Sequence, residues 1–391
     1  MRAEFEGWQT QPASPIVEAL AAVRTVQHLT DKKPLVLGVT PVARLNPFQS
    51  LLYQGFAHHG IAASPVNVPR DFPYLADLRS GGYDVAVHLH WLSFVLSNAT
   101  TAKEAAVAVE AFSETLARFA DAGGRTVWTI HNVLPHDAKF IDEEIALRQA
   151  VADAADVVHV MSRATVEAVK HTVSVDPDKV LFSPHPSYAG AYPTNVTRED
   201  ARLALGIEPS ETVFTMFGAI KPYKGLDGLL DAFDRAQRST NRRLRLVVAG
   251  APDGTPSAQQ FVERCLAHPD VLIQPAKVPA DHVQNYVAAG DIGLAPYNRI
   301  LNSGAALLYT TFGLPVVVPN EASVRENLPA GAHVAFDGPD ALGDALLEAL
   351  DLVGTDTTRA VQAHARKFAP GPLAAGFAAR LRFALMDGDD T

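Results

Sequence analysis

Two α/β domains, each a parallel β-sheet flanked by helices, are what this sequence predicts, and three observations predict them. Short β-rich runs alternate with longer Ala/Leu-rich segments whose apolar residues recur at helical spacing, the strand-helix-strand grammar of parallel sheets. That grammar halts and restarts once near the middle of the chain. The 391 residues also exceed what one hydrophobic core ordinarily serves.

In the first half the strand candidates are PLVLGV (34–39), YDVAVHLHW (83–91), RTVWTI (125–130), DVVHVM (156–161) and KVLFSP (179–184). The second half restarts with TVFTMFGAI (212–220), LRLVVAG (244–250), VLIQPA (271–276), DIGLAPY (291–297), LPVVVPN (314–320) and HVAFD (333–337). Between the halves, HPSYAGAYPTNVTRED (185–200) breaks the pattern with prolines and small residues, and Thr197 reads as a helix cap. The boundary is placed near Ala191, with a first domain over 1–190 and a second over 191–372. After a break at Pro370, Gly371 and Pro372 comes a last amphipathic segment over 373–386.

Composition excludes several classes. Apolar residues make up 48% and charged residues 19%, the balance of ordinary globular protein, and the formal net charge of -10 argues against nucleic-acid binding. Cys265 is the one cysteine, so an intrachain disulfide and a cysteine-rich zinc site are excluded; its expected role is helix packing in a reducing compartment. The opening MRAEFEGWQTQPASP lacks the apolar core of a signal peptide, and no apolar run is long enough to span a membrane. A cytoplasmic protein is expected, with peripheral contact at the inner face of a membrane left open.

Ligands of open α/β sheets bind beyond the carboxyl ends of the strands, so the residues just after each strand carry the information. FGAIKPYKGLDGLLDAF (217–233) places Gly218, Lys221 and Lys224 in a tight loop before a helix. A helix N-terminus with two ammonium groups makes a diphosphate clamp; the alternative is a pair of solvated surface charges. Tyr297 leads into a second segment in which Asn302, Ser303 and Gly304 precede an apolar helix ending at Gly313-Leu314-Pro315. Ser303 or Asn302 can cap that helix and leave N–H groups for an anionic oxygen, or can be a plain cap with no ligand.

With these two elements at their spacing, the sequence resembles the bacterial GT-B glycosyltransferases. The resemblance implies two Rossmann-like doubly wound domains facing each other across a cleft, a donor site in the second, and a final helix that returns to the first. In the retaining enzymes of that group the loop reads Gly-Arg-x-x-x-x-Lys-Gly. Gly218 and Lys224 match, whereas Ala219 stands at the arginine position, so Lys221 is expected to supply the second charge. The two glutamates that those enzymes carry eight positions apart are here Ile300 and Leu308. Asn-Ser-Gly-Ala-Ala-Leu-Leu looks more like a branch of exopolysaccharide enzymes that includes β-mannosyltransferases.

In the first domain the same resemblance puts Asn46 and Gln49, His90 and Trp91 on the acceptor side, Trp91 suited to stack on a sugar face; a buried aromatic and a satisfied histidine are the alternative. His131 matches a histidine that touches the donor sugar. Asp137 is the candidate base, with His131 and His136 as rivals and a helix cap as its bland role. His185, Tyr188 and Tyr192 stand at the seam, as ligands or as hinge packing. No Asp-x-Asp metal motif stands at a strand end, and no cofactor is expected. The implied activity is transfer of a hexose, mannose among the candidates, from a GDP- or UDP-sugar to a sugar, glycolipid or polysaccharide acceptor, inverting and independent of metal. A nucleotide-sugar epimerase and a non-catalytic sugar binder are the other readings.

Overall fold

The computed structural model describes residues 15–43, 46–66, 71–298 and 300–386. The chain divides into two compact units, residues 1–184 with 371–391, and residues 185–370. The division falls at His185 instead of Ala191 because the intervening backbone bonds into the second unit: Ser187 N–H donates to Phe368 O at 2.7 Å and Tyr188 N–H to Thr311 Oγ1 at 3.0 Å. Thr197 caps the helix Arg198–Leu205, its Oγ1 accepting from Asp200 N–H at 3.1 Å.

Among its described residues the first unit holds β1 (Leu35–Thr40), β2 (Ile61–Pro65), β3 (Asp84–Leu89), β4 (Arg125–Thr129), β5 (Val157–Val160) and β6 (Val180–Phe182), parallel and in the order β2-β1-β3-β4-β5-β6. The sequence reading missed β2. Its IAASP is poor in β-branched residues, and the edge of a sheet is where a strand ending in proline is tolerated. The C-terminal helix Pro370–Leu385 adds Ala374, Phe377, Ala378, Leu381 and Leu385 to the core formed by Leu35, Leu37, Val127 and Val157. Pro370 and Pro372 do not break this helix: they form its first turn, whose N–H groups have no intrahelical acceptor in any case.

The second unit holds β7 (Thr212–Phe217), β8 (Leu244–Ala249), β9 (Val271–Gln274), β10 (Ile292–Leu294), β11 (Val316–Pro319) and β12 (His333–Phe336), parallel in the order β12-β11-β10-β7-β8-β9. Strand order reverses between β7 and β10, and the two strands part early. β7 pairs with β8 from Thr212 to Phe217, but with β10 only at Phe214 and Thr215. Parting leaves Phe217 N–H and Leu294 C=O without a ladder partner, and Tyr309 supplies both. Its hydroxyl accepts from Phe217 N–H at 2.6 Å and donates to Leu294 O at 3.2 Å. Gly293 is required beneath it, since a Cβ there would stand 2.3 Å from atoms of the Tyr309 ring. At the amino ends of the same strands Asp291 accepts from Arg202 at 2.6 Å and from Val213 N–H at 2.7 Å. Cys265 is buried in the core of this unit, and burial pushes its thiol up to about 12.

Tyr309→Phe keeps the ring and strands a buried N–H, a loss of about 1–3 kcal/mol. The melting temperature should fall by roughly 2 °C or more; a calorimetric scan that matches the parent would show that water replaces the hydroxyl without cost.

Candidate functional site

The parting of β7 and β10 opens the kind of crevice in which doubly wound sheets hold ligands. Gly218 leaves β7 at a φ of 105°, and the space of its missing side chain receives the Lys224 ammonium, 3.1 Å from where a Cβ would stand. Lys224 ends the turn Pro222–Lys224 and is only 7% exposed, so it is not a solvated loop charge. Burial first, then the charge of Lys221, lowers its pKa to about 8. Lys221 is exposed on the same turn.

From β10 the chain enters Pro296-Tyr297-Asn298, which locks onto the lysine turn. Asn298 N–H donates to Tyr223 O at 2.9 Å, Tyr223 stacks on Tyr297 with centroids 5.8 Å apart, and a Cβ on Gly225 would strike the Pro296 carbonyl. The Tyr297 ring lies 5.8 Å from Lys224 Nζ, and its hydroxyl bonds the Ser303 side chain. Ser303, rather than Asn302, caps the helix Gly304–Thr311: its Oγ accepts from Ala306 N–H at 3.1 Å. Tyr297 therefore joins Lys224 to the capped helix start. Asn302 is half-buried beside that cap. Gly304 is open because Tyr188 needs the room, its Oη 2.6 Å from a would-be Cβ. Tyr188 stacks on Tyr192, and the His185 ring, held neutral by burial at a pKa of about 4, bonds the Pro186 carbonyl through Nδ1. These three pack within the second unit. Leu308 is buried on the helix and Ile300 half-buried before it. A separate groove of about 900 Å³, lined by Gly290, Leu314 and Gly354, lies toward the amino ends of β10 and β11 and gathers none of these groups.

In the first unit strand order reverses between β1 and β3, and the candidates there fall into two sets. His90, Trp91 and His131 come together around Phe48, whose ring centroid is 5.9, 6.5 and 5.2 Å from theirs. Trp91 lays one face on His131 at 4.2 Å, so that face is closed to a sugar. His90 is 1% exposed and cannot itself meet an acceptor; its Nδ1 faces His131 Nε2 at 2.9 Å. Gln49 is also turned inward, Nε2 donating to Pro41 O at 2.8 Å and Oε1 accepting from Ala43 N–H at 2.8 Å, which shapes its own loop. Asn46 is exposed and accepts from Phe48 N–H at 3.1 Å, fixing the start of the short helix Phe48–Leu52. Asp137 and His136 are exposed on a turn. Asp137 caps no helix, because the helix Ile141–Ala154 begins without a side-chain cap.

Behind His131 runs a set of residues that the sequence reading left without a role. Tyr53 Oη contacts His90 Nε2 at 2.6 Å and His88 Nδ1 at 2.7 Å. His88 Nε2 reaches Thr129 Oγ1 at 2.7 Å, Thr129 reaches His159 Nδ1 at 2.9 Å, and His159 Nε2 reaches Ser183 O at 2.9 Å. The signal was polar residues near the carboxyl ends of otherwise apolar strands. The rings follow one another in line instead of converging, and among the described residues no group of three His, Cys, Asp or Glu is placed to hold a metal ion.

Residues 211–351 match the family described as Glycosyl transferases group 1. The chain is similar to a GDP-mannose:glycolipid 4-beta-D-mannosyltransferase of Xanthomonas campestris, 28% identical over 337 residues and 83% of each chain. It is also similar to a D-inositol 3-phosphate glycosyltransferase of Corynebacterium efficiens, 30% identical over 237 residues, 56% of this chain and 54% of the other. Among solved structures, sucrose-phosphate synthase of Thermosynechococcus elongatus superposes with a TM-score of 0.68 at 14% identity, covering 91% of this chain and all of that one. HepE of Anabaena in complex with UDP gives 0.64 at 13% identity, covering 89% and 99%.

The lowered pKa of Lys224 has a direct consequence for anion binding. The charged form attracts the anion, so affinity is full below about pH 8 and falls as pH rises through that value, by up to about tenfold per unit. Calorimetry with inorganic pyrophosphate should show this for the parent relative to Lys224→Met, a ratio in which the probe's own ionisation cancels. A ratio constant from pH 7 to pH 9.5 would detach the lysine from the anion.

Proposed function

From the premise that the chain is a glycosyltransferase of the GT-B fold, we propose that it moves a hexose from a nucleoside diphosphate sugar to a glycolipid or polysaccharide-type acceptor, with inversion at the anomeric carbon. Mannose from GDP-mannose is the donor on the pattern of the Xanthomonas relative; a UDP-sugar is the alternative that the neighbour solved with UDP keeps in view.

The observation that carries this reading is the buried Lys224 ammonium lodged against Gly218 where β7 and β10 part. As the bond from the anomeric carbon to the phosphate oxygen breaks, negative charge develops on the departing diphosphate. Lys224 and Lys221 meet that charge, and the capped start of the helix Gly304–Thr311 adds its N–H groups. Protein cations thus supply the stabilisation, without a cofactor. The acceptor oxygen forms its bond from the opposite side while its proton passes to a base. His131 takes that role over Asp137, because His131 is held by Trp91, Phe48 and His90 whereas Asp137 stands on an exposed turn. A lipid-linked acceptor brings the protein to the inner face of a membrane. Among the described residues no helix is long and apolar enough to cross one.

Lys224→Met preserves the buried stem and removes the charge. A charge-assisted contact of about 1.5–3 kcal/mol corresponds to a loss in kcat/KM of roughly ten- to a hundredfold, measured with a panel of GDP- and UDP-sugars. Parental turnover by a folded variant would reject the clamp. Inversion rests on Ile300 and Leu308, which bring no carboxylate where the retaining enzymes have two. Proton NMR of the new linkage should show the configuration opposite to the donor's, and a product with the donor's own configuration refutes it.

A further inference from the structure

The groove of about 900 Å³ toward the amino ends of β10 and β11 lies wholly within the second unit, at the exit of the helix Gly304–Thr311. Eight residues of helix, about 12 Å, separate that exit from the capped start beside the lysine turn. One wall of the groove is the helix Thr355–Arg366. Val361 turns into the core. Thr355, Thr358, Arg359, Gln362 and Arg366, the last four at three, four, seven and eleven positions from the first, form one stripe of this helix and line the groove. Gly313 lets the loop at the helix exit close on that wall: its φ is 87°, and a Cβ there would stand 3.0 Å from both Gln362 and Thr358.

The lining has a sign. Arg198, Arg359 and Arg366 stand there against Glu199 alone, in a chain whose formal net charge is -10. Arg198 is committed to Asp291 at 2.9 Å. Arg359 meets Asp356 at 3.3 Å in an exposed pair, which is a weak one. Arg366 is exposed, and its guanidinium has no partner among the described residues. Ser187 is only 2% exposed and lines the groove; its N–H donates to Phe368 O, but its hydroxyl bonds nothing among the described residues. Guanidinium forks match the oxygens of carboxylate and phosphate. The hydroxyls of Ser187 and Thr358 and the Gln362 amide match the mixed donors and acceptors of a sugar. The volume is within the range of small-molecule sites.

We propose that this groove is a second ligand site, distinct from the Lys224 crevice, and that it takes an anionic carbohydrate. Carboxylate or phosphate groups sit on Arg366 and Arg359, and sugar hydroxyls on Ser187, Thr358 and Gln362. The site stands or falls separately from the anion clamp at Lys224.

Calorimetry at low salt on the full chain and on Lys224→Met, with tetragalacturonate, glucose 6-phosphate, cellotetraose and inorganic phosphate as probes, tests this. One of the first two should bind both proteins alike, and neutral cellotetraose should not bind. Arg366→Glu should weaken the binding by about tenfold or more. Arg359→Glu, on the same stripe, makes the comparison again if the first variant does not fold. Tetragalacturonate as the binder assigns an acidic oligosaccharide, and glucose 6-phosphate a phosphorylated sugar. The proposal is overturned if neither binds, if binding disappears in Lys224→Met, or if it survives the arginine substitutions. It is equally overturned if cellotetraose or bare phosphate binds as tightly as the better acidic probe.

Discussion

The Tyr309 hydroxyl occupies the place where two parallel strands stop bonding each other. A sheet whose order reverses must send its chain to opposite faces from neighbouring strands, and that divergence opens the crevice doubly wound folds use. Divergence also strips N–H and C=O groups of their partners, which cannot be left buried and unmet. One side chain on the helix Gly304–Thr311 answers both, accepting from Phe217 and donating to Leu294. The helix is thereby bolted over the strand ends. Its capped start, the Tyr297 ring and the lysine turn take their places from that bolt.

The two ends of the β7/β10 pair treat charge in opposite ways. At the amino end Asp291 is buried but paired with Arg202 and hydrogen-bonded by Val213 N–H, as a buried charge must be if it is to stabilise anything. At the carboxyl end Lys224 is buried with no carboxylate partner among the described residues, and its neighbour Lys221 makes matters worse, which is why its pKa falls. A buried, unneutralised ammonium costs stability in the free protein. An anion bound there would offset that cost.

Much of this was legible in the sequence, and the failures have physical causes. Eleven of the strands stand out as β-rich runs, whereas β2 does not, because an edge strand of small residues carries neither periodicity nor β-branching. Lys224, Gly218, Tyr297 and Ser303 stand close together, because strand ends bring such residues to one place. Gln49 and His90 were misread: a strand-end location says nothing about which way a side chain turns, and both turn inward. The roles of Tyr53, Thr129 and His159 depend on the alignment of neighbouring strands, such as Thr129 opposite His159, and alignment is a tertiary property. Pro370 and Pro372 look like a break until the helix is seen to start on them.

A line of neutral polar groups through the middle of a sheet is an unstable arrangement unless every member is satisfied, since each unpaired group in so dry a place costs as much as several good contacts return. In the first unit every link of the line from Ser183 to His131 is made. Burial lowers the pKa of His88 and of His90 well below the ordinary value, so each keeps one ring nitrogen as an acceptor. Removing charge from histidine in one unit and stranding it on lysine in the other are thus opposite uses of the same desolvation. The histidines shed their charge to burial, and the lysine is left with a pKa of about 8.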